Sequence, residues 1–587
     1  MTAGTATPDI ASWPPLDDDQ ERALGRQLLD WAADDGRPPL FLVRGAEGSG
    51  KSRLLAWFLA GSAGHPRTAV HAVVLAEGLS AEPFAWEMGR LLGYGPLSPA
   101  RLLERVSRDE RPVLLLVPDL HRAGAGPADL PAAQPATLVA ELLGPLLSLP
   151  HVRAIVEVGE SGLLPTDGAE VIDLGGDAPA DTGGEEQAFA DLLATVPHTA
   201  DDRPDWAQAP APALQRILDA ALRVEDDGTA ARGLLSDPGF LVHGSATALT
   251  AVLADERIPV PGQLRQVWRR AAPELTSQYD DSTARAAVLH AAALGTDESL
   301  TEYLRPLAER HWWSAVWARP ELPVTALALV PGAERALLAA EVTGRLGTYD
   351  VDTGAPTGVR PGSASVRPGS VAPRDAGSAL LLDEGADALL PWTPSPEDDP
   401  TAEIVLGHIA EHHGAAALAG REARVTALGS GPGSPYAVVG DASGTLHVWN
   451  LAEYQDTPRS YGVHERPVTT ATCLHLADEG LTLTFSGAAD GSVRLWETSD
   501  EPMPVPVEQR AAVPTALAAA ATPSGPVLAV AWSDGELHLW HVLSGRMHSL
   551  PLLHTCRSLA LTPDGLLVVA DPDGLYAVRL RLDRLWE

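Results

Sequence analysis

A short pattern recurs through the last 45% of this chain, and few folds can accommodate it. A tight Gly-containing turn leads into an alternating run that ends on an aromatic residue. It is clearest at Asp490 to Trp496 (DGSVRLW), Asp534 to Trp540 (DGELHLW) and Ser443 to Trp449 (SGTLHVW). Thr343 to Tyr349 and the stretch ending at Trp392 are degenerate copies, and Asp573-Gly574 opens the last one. Strand starts recur upstream of the turns at Val324, Val425, Val468 and Pro514, three of them reading (V/P)-T-A-L. Copies end 38–57 residues apart, which brackets one four-stranded blade of a propeller. Residues 322–587 are therefore expected to form an all-β propeller of about six to seven blades: six copies are visible, and residues 393–421 leave room for a seventh.

A second constraint lies at the other end. The chain has 587 residues and one lysine, Lys51, within Gly45-Ala46-Glu47-Gly48-Ser49-Gly50-Lys51-Ser52. The pattern Gly-x4-Gly-Lys-Ser is a phosphate-binding loop. Its glycines let backbone N–H groups close around phosphates, the lysine reaches the outer phosphates as a slim point charge, and the serine hydroxyl meets Mg²⁺. Arginine carries every other basic charge here, and its wide planar fork is a poor substitute in that slot. The loop follows an apolar strand, Pro39 to Val43, and opens a helix at Ser52, the context such a loop requires. The residues expected to hold nucleotide are Gly45, Ala46, Glu47, Gly48, Ser49, Gly50, Lys51, Ser52 and Arg53, together with Asp119. That aspartate ends the apolar run Val113 to Val117, where a carboxylate would hold Mg²⁺ with Ser52. With a single lysine the chain has neither the Asn-Lys-x-Asp guanine motif nor the strand lysine of protein kinases, so ATP is the expected nucleotide.

The remaining apolar runs, Ala69–Leu75, Val152–Val158 and Val171–Leu174, are mostly spaced for βαβ units. Residues 21–180 are thus read as a three-layer α/β domain behind a loose segment over residues 1–20. The Pro/Gly/Asp-rich stretch at 177–184 is a linker. Residues 186–318 show helical spacing at Leu214, Ile217, Leu218 and Leu222, and are read as an all-α or winged-helix-like region. The expected fold is multidomain: an α/β P-loop NTPase domain, a helical middle and an all-β propeller.

The C-terminal copies resemble the WD-repeat family, with His464 in the place of its upstream histidine. Together with the phosphate loop and the helical middle, they make the chain similar to the STAND class of signal-transduction P-loop ATPases, of an actinobacterial type. That resemblance implies a nucleotide-controlled switch whose propeller senses or recruits a protein partner, and nucleotide-controlled self-association. The family places a second acid beside the strand-end aspartate and an arginine after the fourth strand. Here the sequence reads Pro118-Asp119-Leu120-His121-Arg122, and the fourth strand runs to Glu160. One carboxylate is then available, and hydrolysis is expected to be slow or impaired, with the catalytic residues unassigned. His243 resembles a nucleotide-sensing histidine of the class, although a histidine at a helix end explains it as simply. A nucleotide-independent interaction scaffold is the alternative.

A net charge of −36 disfavours nucleic acid and anionic membranes as partners. Cys473 and Cys556 are the only cysteines and read as small buried residues, in keeping with a reducing cytoplasm. Residues 1–15 lack the pattern of a secretion signal, and no apolar run is long enough to span a bilayer.

Overall fold

The computed structural model describes residues 19–63, 65–124, 130, 133–159, 162–175, 188–224, 228–277, 281–320, 322–332, 335–360, 366–374, 378–385, 387–393, 400–432, 434–476 and 479–586. Most of the loose segment expected at residues 1–20, and the linker at 177–184, lie outside them. So does the acidic run Glu397–Asp399. The chain divides into two compact units, Met1–Gln278 and Tyr279–Glu587.

The first unit is built on five parallel strands: β1 (Leu40–Arg44), β2 (Ala72–Val73), β3 (Val113–Val117), β4 (Val152–Gly159) and β5 (Ala169–Asp173). Their order is β2-β3-β4-β1-β5, so β4 lies between β1 and β3. The strands read as nearly continuous apolar runs because both faces of the sheet are covered. On one face Leu40, Leu42, Leu115, Val117, Ala154 and Val156 share a core. Helices α3 (Ala81–Leu91) and α4 (Pro99–Arg108) contribute Phe84, Met88, Leu102 and Val106 to it. On the other, Phe41, Val43, Leu114, Leu116 and Ile155 pack with α1 (Asp19–Ala33) and α2 (Lys51–Ser62), which supply Trp31, Trp57 and Phe58.

Among the described residues, five helices from Ala211–Arg223 to Leu264–Leu275 form the later, helical part of this unit. Two more, Ser282–Ala293 and Glu298–Ala308, belong to the second unit. Aspartates and a serine cap several of them: Asp237 accepts from the Gly239 amide, Ser245 from Ala248 and Asp297 from Leu300. Among the described residues of 188–312 no strand forms, so these helices have no wing hairpin beside them.

The second unit is a six-bladed β-propeller. Its six antiparallel sheets contain Val324–Leu329, Pro368–Pro373, Val425–Ser430, Val468–Leu476, Pro514–Thr522 and Ser558–Leu561 as one edge strand each. Each of these strands contacts the corresponding strand of the next sheet, and the last contacts the first, which closes a ring. The seventh blade expected at 393–421 is absent. Its described part is the helix Pro400–Ala419, which buries Val405, Leu406 and Ile409 against Leu380, Leu389 and Trp449. Blade two accordingly shows three strands among its described residues. Strand β6 (Trp313–Pro320) lies upstream of the residue 322 boundary expected from the sequence, yet it pairs with Gly574–Leu580 and completes the last blade. Chain start and chain end of the propeller are thereby joined in one sheet.

The turns explain why some repeats look degenerate. In blade four, Asp490 Oδ1 accepts from the Ser492 amide at 2.9 Å, and Gly491 takes a left-handed φ of 79°. A Cβ at Gly491 would fall 2.0 Å from the Arg510 carbonyl, so only glycine fits. Blade three has serine at the repeat position, and Asp441, two residues earlier, accepts from the Ser443 and Thr445 amides at 2.9 Å each. Asp571 does the same for Asp573 and Gly574 in blade six, and Asp383 for Gly385 in blade two. The acid persists, moved to the end of the preceding strand. Cys473 and Cys556 are free and buried, as expected.

Blades four and five share a charged cluster. His538 lies 2.6 Å from Glu508 and 3.1 Å from Glu536, while Arg510 meets Asp534 and Glu536 at 2.7 Å and sits 2.8 Å from His538 Nε2. Burial alone would lower the His538 pKa, but its bonds to Glu508 and Glu536 outweigh burial and raise it. The His538 bond holds Glu536 down to about 2, against burial and with help from Arg510. A raised histidine stabilises the fold below its unfolded pKa of roughly 6.5, and that contribution is lost as pH rises through the folded value. A depressed carboxylate stabilises above roughly 4.3 and is lost toward about 2. Thermal melts of the full chain should therefore show the wild type above His538→Gln between about pH 5 and 6, with the gap closing on the alkaline side. A gap independent of pH would contradict this.

Candidate functional site

The C-terminal ends of β1, β3 and β4 meet at one edge of the parallel sheet, and each delivers one element of the site. From β1 the chain passes into the loop Gly45–Gly50, with φ of 146°, 79° and 95° at Gly45, Gly48 and Gly50. The Gly45 amide donates to Gly159 O at 3.3 Å and the Ala46 amide to Gly175 O at 3.1 Å, so the loop is tied to the strands on both sides. A Cβ at Gly45 would fall 2.6 Å from Ser49 Oγ. Helix α2 starts at Lys51, and its first intrahelical bond runs from the Leu54 amide to Gly50 O at 3.0 Å. The amides of Lys51 and Ser52 precede that bond, so they have no carbonyl one turn back, and the positive end of the helix dipole faces the loop.

Lys51 is 5% exposed. Its Nζ donates to Gly45 O at 2.9 Å and to Ala46 O at 2.6 Å, and lies 3.6 Å from Glu157 Oε1. Ser52 and Glu47 are exposed at the mouth of the loop, and Ser49 Oγ is buried without a hydrogen-bond partner among the described residues. Arg53 is exposed on α2 and pairs with Glu21 of α1 at 3.4 Å.

After β3, Asp119 is half-buried and takes a left-handed φ of 53°, unusual for a residue with a side chain. Its carbonyl accepts from the Arg122 amide at 2.9 Å and starts a 3-10 turn, Leu120–Arg122. His121 in that turn packs on Gly159, and burial pushes its pKa down against the pull of Asp119. Arg122 pairs with Glu77 at 2.5 Å.

Glu157 was not among the expected site residues. The sequence reading left a single carboxylate here, and the structure supplies a second, from β4 rather than from the end of β3. Register explains its position: Val117 of β3 pairs with Val156, and Val43 of β1 with Glu157. Alternation puts Glu157 on the same face as Ile155, toward α1 and α2, and so beside Lys51. A register shift follows at Val43/Arg44, where β1 skips Val158 and pairs Arg44 with Gly159. Glu157 is 1% exposed, and burial raises its pKa, with the Asp119 charge adding to that effect and Lys51 opposing it. An acid inside the otherwise apolar run Val152–Val158 was the available signal.

His243 ends the short helix Pro238–His243 and is half-buried. Among the described residues no cluster of three or more His, Cys, Asp or Glu side chains is arranged to hold a metal alone. A divalent cation at Ser52 and Asp119 would depend on ligand oxygens besides protein ones, which suits Mg²⁺ bound together with phosphates. No helix among the described residues is long and apolar enough to cross a membrane.

In the second unit, the edge strands that close the ring line a central channel of about 200 Å³. Thr426, Thr469, Thr515 and Ser558 are among its lining residues, with Glu384 and Arg557 as charged members.

Residues 457–497, which cover most of blade four, match the family model described as WD domain, G-beta repeat. No curated protein matches the chain. Among solved structures, the chain is similar to the computationally designed Ika8 protein, at 19% identity over 44% of this chain and 70% of that one, with a TM-score of 0.28. It is also similar to the β-propeller domain of Myceliophteria thermophila Cps50 (Swd1), at 15% identity over 44% of this chain and 83% of that one, with a TM-score of 0.29.

Gly159 carries the loop anchor and faces His121. Gly159→Ala would add a Cβ 2.8 Å from the imidazole at a φ of 59°. It should cost about 1–3 kcal/mol, read by chemical denaturation of the full chain. A neutral substitution would mean that the loop does not depend on this contact.

Proposed function

We propose that the first unit binds ATP with Mg²⁺ at the loop Gly45–Ser52, and that the propeller engages a protein partner under control of that binding. One observation carries the nucleotide reading. The chain's only lysine is buried at the end of a parallel sheet, held by two carbonyls of a glycine-rich loop at the start of a helix. A buried ammonium with only main-chain and carboxylate partners is a ready cation for phosphate oxygens. The amides of Lys51 and Ser52, with no carbonyl one turn back, and the helix dipole favour an anion at the same place.

In this reading Gly45 to Gly50 wrap the phosphates, Lys51 neutralises the outer ones, and Ser52 and Asp119 hold the cation. Mg²⁺ would neutralise phosphate charge and orient the phosphate chain. Asp119 and Glu157 would order water at that edge. The chain offers no arginine at the end of β4 to stabilise charge on a transferring phosphoryl group, so turnover should be slow. A slow turnover suits a switch, in which the lifetime of the bound state is the signal. The resemblance to STAND proteins supports this reading and adds nucleotide-controlled self-association to it. The propeller's role as a partner surface is supported by its WD repeat, a fold that generally mediates contacts between proteins.

Lys51→Ala should weaken ATP binding at least about tenfold in the full chain, measured with labelled nucleotide. Unchanged affinity would sink the assignment. Asp119→Asn keeps a residue type that tolerates a left-handed backbone, so it isolates the charge. It should weaken binding with Mg²⁺ and leave metal-free binding nearly unchanged; an equal effect under both conditions would remove Asp119 from the metal site.

A further inference from the structure

We infer that Glu157 competes with the phosphates of the nucleotide for Lys51: its carboxylate pairs with the ammonium, and ATP must displace it from that pair. The inference rests on the nucleotide reading above and adds a residue and an energetic role to it.

Three observations lead there. First, Lys51 is not directed to solvent. Its ammonium has two loop carbonyls and the Glu157 carboxylate around it, at 2.9, 2.6 and 3.6 Å. The two carbonyls take two of the ammonium's three protons, and Glu157 lies at ion-pair rather than hydrogen-bond distance. A phosphate oxygen that reaches for the remaining proton comes up against the Glu157 carboxylate. Second, the two carbonyls belong to the loop that is itself expected to wrap the phosphates, whereas Glu157 comes from the rigid middle strand of the sheet. A phosphate entering beside Glu157 brings negative charge against a carboxylate that is 1% exposed. Like charges at that separation in a buried site repel strongly, so Glu157 is the acceptor that loses. Third, Glu157 Oε2 is buried without a hydrogen-bond partner among the described residues. A carboxylate placed only to complete a core would be expected to satisfy both oxygens.

The consequence is a lowered affinity. A phosphate must contest the Lys51–Glu157 ion pair, so affinity is lower than the loop alone would give. Glu157 acts by opposing the ligand, and its removal should tighten binding. A purely structural acid would do the reverse, because a missing buried partner leaves Lys51 unpaired and the loop disordered.

Lys51 is the only lysine, so an amine-acylating reagent followed by peptide mass spectrometry reports on one side chain. The full chain would be labelled as wild type, Glu157→Gln and Glu157→Asp, with and without ATP, and ATP affinity would be measured in metal-free buffer. Gln keeps the shape and loses the charge, while Asp keeps the charge and withdraws it by one methylene. In the absence of ATP both variants should label severalfold faster than wild type, and Glu157→Gln should bind ATP about tenfold more tightly. Unchanged labelling in both variants, with Lys51-dependent ATP binding intact, would overturn the competition and leave the nucleotide reading standing. Faster labelling with equal or weaker ATP binding at an unchanged melting temperature would also overturn it, and would make Glu157 a structural partner. Faster labelling with no ATP binding by any of the three proteins, even at millimolar nucleotide, would defeat the nucleotide reading and the competition together.

Discussion

A buried ammonium needs partners, and at Lys51 the fold supplies them from two directions. The loop after β1 contributes two carbonyls, and β4 contributes the Glu157 carboxylate. Neither would be in place without the strand order, which sets β4 between β1 and β3 and brings three strand ends to one edge. The same order places Asp119 and Glu157 on adjacent strands. The doubly covered sheet holds these strand ends rigidly, since its apolar residues pack on both faces. The positive end of α2, the bonds from Gly45 and Ala46 to the flanking strands, and the left-handed turn at Asp119 all converge on the space above Lys51. Strain at Asp119 and a register shift in β1 lie within a few residues of that space, where functional sites commonly concentrate such features.

The second unit depends on closure. Strand β6 fastens the ring by pairing with Gly574–Leu580, so that the first and last strands of the propeller share one sheet. Trp317 of β6 reinforces the joint, donating from Nε1 to Val351 O at 2.9 Å in blade one while it sits in the last sheet. Hydroxyls link neighbouring blades as well: Thr469 donates to Pro514 O at 2.8 Å and Thr472 to Ser430 O at 2.9 Å. The helix Pro400–Ala419 is inserted between blades two and three and is fixed there by His413, whose Nε2 accepts from Trp449 at 3.0 Å. His413 is deeply buried, and burial pushes its pKa to about 3, with His447 and His412 adding to the effect, so it serves as a neutral acceptor.

The propeller was legible in the sequence because its turns have a strict chemistry. Asp-Gly at 490 and 534 and the alternating runs that follow could be read directly. Blade number could not be read as surely: all six turns were visible, with Asp441, Asp383 and Asp571 acting from a shifted position in three of them, but the long interval between Trp392 and Trp449 left room for a seventh blade. Helix Pro400–Ala419 is apolar around much of its circumference, with Val405, Leu406 and Ile409 inward and Ile404 and Leu418 exposed, so it showed no clean helical stripe and left room for an imagined blade. The run Trp312–Trp317 suggests a strand the ring could need, but its pairing with Gly574–Leu580, some 260 positions away, is a relation no local pattern reports, so the boundary falls at residue 322 in the sequence and at β6 in the structure. In the first unit, Lys51 and Asp119 stood out through their motif. Glu157 did not, since what makes it part of the site is the pairing of β4 with both β1 and β3, a relation visible only once the strands are ordered.

Phosphate held above Lys51 by the loop and the first turn of α2 would protect the amides around it. Hydrogen exchange of the full chain with and without ATP and Mg²⁺, resolved to peptides, tests it most directly. The account predicts slower exchange on nucleotide addition at residues 45–53 and around Asp119, where amides would become ligands or lose contact with water. Unchanged exchange at both segments under saturating nucleotide, or protection confined to other parts of the chain, would contradict it.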